Sequence, residues 1–119
     1  MSKSQLSKEE RIEQAKRRLG SDHHVCAVCG HNKPLALELH HLEGQKHGET
    51  LASVCRNCHR ELSDDQIDHP HDVPGQDSFL AHVGHLLMGL AELFRLIAER
   101  FVEFGQELIA RANAAAEVS

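Results

Sequence analysis

Two Cys-x-x-Cys units, Cys26-Ala27-Val28-Cys29 and Cys55-Arg56-Asn57-Cys58, constrain this chain more than any other feature. They account for all four cysteines in 119 residues. Each pair can chelate from a turn, and two pairs complete a closed tetrahedral thiolate sphere, the donor set of a structural zinc ion. A redox dithiol would need one such pair ahead of a helix in a βαβ unit, and the surrounding pattern supplies no such unit. A closed site leaves no coordination position open, so this zinc is expected to fold the domain and take no part in chemistry. A chain of this length has room for only a modest apolar core. Trp and Tyr are absent, and Phe79, Phe94, Phe101 and Phe104 all fall in the last third.

The segments around the frame read as follows. Ser7-Lys8-Glu9-Glu10 matches a capping box, and Ile12, Ala15 and Leu19 recur at helical spacing, predicting a helix over about Lys8 to Leu19 that Gly20 ends. Residues 1–21 thus form a basic N-terminal helix. Its Lys16, Arg17 and Arg18 are candidates for phosphate contact, against the plainer reading of a solvated charged face. After the first cysteine pair, Gly30, Asn32 and Pro34 carry turn chemistry. Leu35, Leu37 and Leu39 then alternate with Ala36, Glu38 and His40, predicting a strand with a leucine core face. Residues 42–50 read as a loop, Leu51-Ala52-Ser53-Val54 as a second strand, and the stretch from Arg56 or Asn57 as a helix ending before the acidic run. The expected fold class is α+β, with a zinc-stabilised ββα domain over residues 22–63.

Residues 64–77 hold Asp64, Asp65, Asp68, Asp72 and Asp77 with Pro70, Pro74 and Gly75, the composition of a linker. Two histidines within it, His69 and His71, read as surface residues, with a weaker option of metal recruitment beside the aspartates. Over residues 78–119 the period changes. Val83, Leu87, Leu90, Phe94, Ile97, Phe101, Phe104 and Leu108 fall at alternating steps of four and three, the apolar seam of a coiled coil or bundle. A continuous helix to about Ala115 would be on the order of 55 Å long, more than the small domain can cover. Self-association, giving a homodimer, is the expected use of the seam; the competing reading is a break near Gly105 and packing within one chain. Glu92, Arg95, Glu99 and Arg100 interrupt this segment, so no membrane span is expected. With no apolar run at its start and its cysteines paired for metal, the chain reads as cytoplasmic.

The remaining chemistry lies in His40, His41 and His59. Two imidazoles from different elements can hold a divalent cation with positions open to phosphate and water, and a third can take a proton near neutral pH. Taken one at a time, each is equally at home as a packed or solvated histidine, and His59 as a spare zinc ligand.

The order Cys-x-x-Cys, Leu37-Glu38-Leu39-His40-His41-Leu42, then Cys55-x-x-Cys58-His59 resembles the HNH nucleases that carry a zinc-bound cysteine frame. The resemblance covers about residues 26–62. It implies a ββα-metal site hydrolysing phosphodiester bonds in DNA, with His41 as general base and His40 and His59 holding a catalytic Mg, Mn, Ni or Zn ion. Arg56 and Arg60 would lie near the nucleic acid. Members of the family usually carry an asparagine five residues before the third cysteine, where this chain has Thr50, whose single hydroxyl braces a loop less rigidly than an amide. Some relatives add a histidine one helical turn past the last, where this chain has Ser63. The net charge of −5 weighs against nucleic-acid binding, although the acidic run lies outside the cysteine frame. The rival readings are a non-catalytic zinc module binding nucleic acid or protein, and an oligomerisation adaptor with a zinc cap.

Overall fold

The computed structural model describes residues 5–21 and 23–118; residues 1–4, Asp22 and Ser119, which fall in the outer segments named above, lie outside it. Among the described residues the fold is α+β, with three helices and one two-stranded antiparallel sheet. Helix α1 spans Lys8–Leu19 and has both arms of the capping box: the Glu10 amide donates to the Ser7 hydroxyl at 3.1 Å, and the Ser7 amide donates to the Glu10 carboxylate at 3.2 Å. Gly20 closes it at φ 82°, a left-handed conformation natural to glycine. Ala15 and Leu19 are its buried residues.

Strand β1 spans Leu37–His41 and β2 spans Leu51–Cys55, paired so that Glu38 lies opposite Val54 and His40 opposite Ala52. The first strand is shorter than the leucine alternation predicts. Pro34–Ala36 forms a 3-10 turn, taking Leu35 out of the ladder, because the proline at its start fixes φ and has no N–H to donate. Leu37 and Val54 are fully buried. Helix α2 spans Arg56–Gln66 and so runs on through Asp64 and Asp65, where a linker is expected. Two tertiary contacts hold that extra turn: Asp65 pairs with Arg95 at 2.7 Å, and Gln66 reaches the end of β1.

Helix α3 is unbroken over Ser78–Val118, 41 residues and about 60 Å at ~1.5 Å per residue, so Gly105 causes no fold-back. Its first half docks on the ββα unit through Gly89, Glu92, Leu93 and Leu96. This face is not the heptad seam. Leu87, Phe94, Phe101, Phe104 and Leu108 all stay more than half exposed, while Leu90 and Ile97 are shared with the core. The close approach explains Gly89: a Cβ there would lie 1.6 Å from the Leu42 carbonyl oxygen. By length and composition α3 is also apolar enough to cross a membrane, with an 18-residue window of mean hydropathy 1.4.

Gly89→Ala is expected to lower stability by about 2 kcal/mol despite the better helix propensity of alanine, because helix and loop must separate to admit the methyl group. Gly84→Ala, whose Cβ meets nothing within 4 Å, should instead stabilise by about 1 kcal/mol. Amide hydrogen exchange over residues 89–96 compares the two variants; equal protection in both would contradict the packing account.

Candidate functional site

The cysteine frame is assembled by turns at both ends of the domain. The Gly30 amide donates to the Cys26 carbonyl at 2.9 Å with Gly30 at φ 77°, closing a tight knuckle, and the Cys26 amide donates to the His31 carbonyl at 2.8 Å. Cys55 ends β2 and caps α2, which brings Cys58 round on the first helical turn. The four sulfurs lie within 4.8 Å of one another, with Cys29 Sγ and Cys55 Sγ 3.8 Å apart and no disulfide. A tetrahedron of ~2.3 Å zinc–sulfur bonds has edges of about 3.8 Å. The donor set therefore fits a structural zinc ion.

Burial pushes the Cys29 and Cys58 thiols up. Burial acts the same way on Cys26, but the backbone amides of Cys29, Cys55 and Val28 outweigh it and bring that thiol down to about 7. One sulfur is thus poised to ionise, and binding of the cation would favour the thiolate form of the others.

Beside the frame, α2 covers one face of the sheet. Register and alternation put Glu38, His40, Ala52 and Val54 on this face, and His41 on the other. His40 is therefore the histidine that meets His59, their rings edge to face at 5.3 Å between centroids. His59 Nδ1–H donates to Glu38 Oε1 at 3.0 Å, which leaves Nε2 as the free lone pair. His40 is 2% exposed. Gln66 holds it: the amide nitrogen of Gln66 donates to His40 Nε2 at 3.3 Å and to the His41 carbonyl at 2.7 Å. Burial above all, then the nearby His59 and His41, lowers the His40 pKa to about 4. His40 and His59 are brought together, yet among the described residues they belong to no three-ligand cluster, and His41 is directed away from them.

Thr50 is exposed and braces the loop through its backbone: its carbonyl accepts from the Leu42 amide at 2.9 Å, and its amide donates to Glu43 Oε1 at 2.6 Å. Glu43, overlooked in the sequence, is fully buried. Burial raises its pKa, but hydrogen bonds from the Thr50 side chain and amide and from its own amide prevail and hold it below the usual value. Its Oε2 has no hydrogen-bond partner.

The basic candidates divide. Arg18 and Arg56 donate to the Leu37 and Leu35 carbonyls at 2.8 and 3.2 Å, and Lys16 and Arg17 engage Glu13 within α1. Arg60 lines a shallow hollow between α2 and α3 with Glu61, Asp64 and Arg100, a lining of mixed charge. His69, expected at the surface, is instead packed, its side chain 7% exposed against Glu92 of α3; His71 is exposed. Comparison with protein-family models, curated proteins and solved structures finds no match.

His40 supplies a pH prediction. Its folded pKa lies below the model-peptide value of 6.5, so the neutral form is the one the fold favours. The associated stability is complete above about pH 6.5 and is lost as pH falls toward 4, amounting to about 3 kcal/mol. In an NMR titration of zinc-loaded protein the His40 ring should remain neutral at pH 5.5; a midpoint near 6.5 would contradict the burial argument.

Proposed function

We propose that this chain is a zinc-framed ββα nuclease of the HNH type, hydrolysing phosphodiester bonds in DNA. The observation that carries the reading is the meeting of His40 from β1 with His59 from α2 beside a four-cysteine cluster. This is the strand–helix junction at which the resemblance expects two imidazoles. A divalent ion held there would offset charge on the scissile phosphate. His41, at the very end of β1, takes a proton from the attacking water, and Glu38 orients His59 through its Nδ1–H. Thr50 keeps the loop after β1 closed through Leu42 and Glu43. Arg60, exposed on α2, offers charge to a phosphate backbone.

A second reading, a zinc module that binds nucleic acid or protein without cutting, is favoured by the burial of His40 and by the bond from Gln66 that occupies its Nε2. Plasmid cleavage in magnesium, manganese, nickel or zinc separates the two. The nuclease reading expects metal-dependent nicking that drops by about 10²-fold or more in His41→Ala. Cleavage indifferent to that substitution removes the proposed base; absence of cleavage with every metal, together with a salt-dependent gel shift, favours the binding module.

The exposed seam of α3 fits a second copy of the chain, placing two active sites on one DNA duplex. Its steps of four and three suit a partner helix, and its flanks carry intrahelical Arg100–Glu103 and Arg111–Glu107 pairs of both signs. Light scattering should give the mass of two chains, and Phe94→Glu with Phe101→Glu should reduce it to one. A one-chain mass for the unmodified protein, with flotation on phosphatidylcholine vesicles, would assign the face to a membrane.

A further inference from the structure

Away from the cysteine frame and the His40–His59 pair, three segments distant in sequence bring His47, Asp72 and His85 together. His47 comes from the loop between the strands, Asp72 from the segment after α2, and His85 from α3. One donor atom from each lies within 4.8 Å of the others. His47 Nε2 is 3.1 Å from Asp72 Oδ1, His85 Nε2 is 4.0 Å from the same oxygen, and the two imidazole rings stack at 4.0 Å. The side chains are 16%, 28% and 12% exposed in that order, so the two imidazoles are largely withdrawn from water while Asp72 stays open to it.

The hydrogen bonds behind the cluster assign its tautomers. The Glu92 carboxylate, 11% exposed, lies 2.9 Å from His69 Nε2 through both oxygens, so that nitrogen carries a proton. With His69 in its neutral form its Nδ1 accepts, and His85 Nδ1–H donates to it at 3.1 Å. His85 Nε2 is left as a bare lone pair facing the Asp72 carboxylate. Two electron-rich atoms directed at one position, in a semi-enclosed site, call for a cation between them. A carboxylate–histidine chain fixing the ring of a donor imidazole is the usual outer support of a metal ligand. His82 adds a second support, its Nδ1 donating to the His47 carbonyl and fixing that loop on α3. The Gln76 amide donates to Asp72 Oδ1, the oxygen nearest the two imidazoles, at 2.9 Å, and Lys46 pairs with Oδ2 at 3.1 Å.

We propose that His47, Asp72 and His85 form a second metal site, selective for a transition cation of the Zn²⁺, Co²⁺ or Ni²⁺ type over Mg²⁺ or Ca²⁺ because two of its three donors are imidazoles. The three side chains line a pocket of about 440 Å³, so the remaining coordination positions are open to water or to an anionic ligand. The site is independent of the nuclease reading and uses none of the residues assigned to it. The bound cation also ties α3 to the loop between the strands.

The test is calorimetric titration of the full chain, zinc-loaded at its cysteines, with Ni²⁺. Besides any ion that His59→Ala removes, one further equivalent is expected to bind, weakened at least tenfold by His47→Ala and by His85→Ala, about 10–100-fold by His69→Ala, and kept in His59→Ala. No further equivalent in the unmodified chain overturns the proposal, as does a sole equivalent that His59→Ala removes and the His47 and His85 variants keep. A measurement free of variants uses ¹¹³Cd²⁺ and ¹⁵N-labelled protein: cadmium coupling on Nε2 of both His47 and His85, with the Nδ1 proton of His85 retained, supports the site, and coupling on His40 or His59 in their place refutes it.

Discussion

The approach of Cys26 and Cys29 to Cys55 and Cys58 is the constraint on which the rest of this structure depends. One pair lies in a knuckle ahead of the sheet, and the other spans the junction of β2 and α2, so drawing the sulfurs together fixes the start of α2 against the strands. Everything on the inner face of α2 follows from that anchor. His59 is adjacent to Cys58, and Leu62 and Gln66 follow at helical steps, one filling the core and the other reaching the last residues of β1. With only a few fully buried large side chains in the domain, apolar burial at ~25 cal/mol per Å² is a small driving force here, and a cation bound at the four cysteines would supply fixed geometry that a larger core otherwise provides.

The sheet has too few strands to protect two faces without help, and the protein covers them unequally. Helix α2 lies over the face with Glu38 and His40, while α1 approaches from elsewhere and donates Arg18 to the Leu37 carbonyl. Parity along five strand residues thus decides which histidine is buried and which stays accessible. The burial of His40 makes it a poor proton carrier near neutral pH.

Features that depend on neighbouring residues could be read from the sequence. The capping box at Ser7 and Glu10, the end of α1 at Gly20 and the two cysteine turns are all set within a few residues, and all are present. The orientation of His40 could not, because alternation sends His40 and His41 to opposite faces without deciding which face α2 covers. Gln66 looked like part of a linker since its partners lie some twenty-five residues away. The His47, Asp72 and His85 cluster was the least legible, its members coming from a loop, an acidic segment and a helix. A partial signal existed: His82, His85, Gly89 and Glu92 recur at steps of three and four, a polar stripe on a helix whose other faces are apolar.

That stripe gives α3 two faces with different roles. The docking face carries a glycine at the closest approach, a buried glutamate paired with His69, and two leucines, Leu93 and Leu96. A buried carboxylate is tolerable only where a hydrogen-bonding partner offsets its desolvation, so the contact between Glu92 and His69 fixes the rotation of the helix about its axis as well as its position. With that rotation set, the aromatic residues Phe94, Phe101 and Phe104 have no place against the ββα unit and project outward. The same polar contacts that seat the first half of α3 therefore determine which apolar stripe its second half presents, and in which direction from the histidine-lined face of the domain.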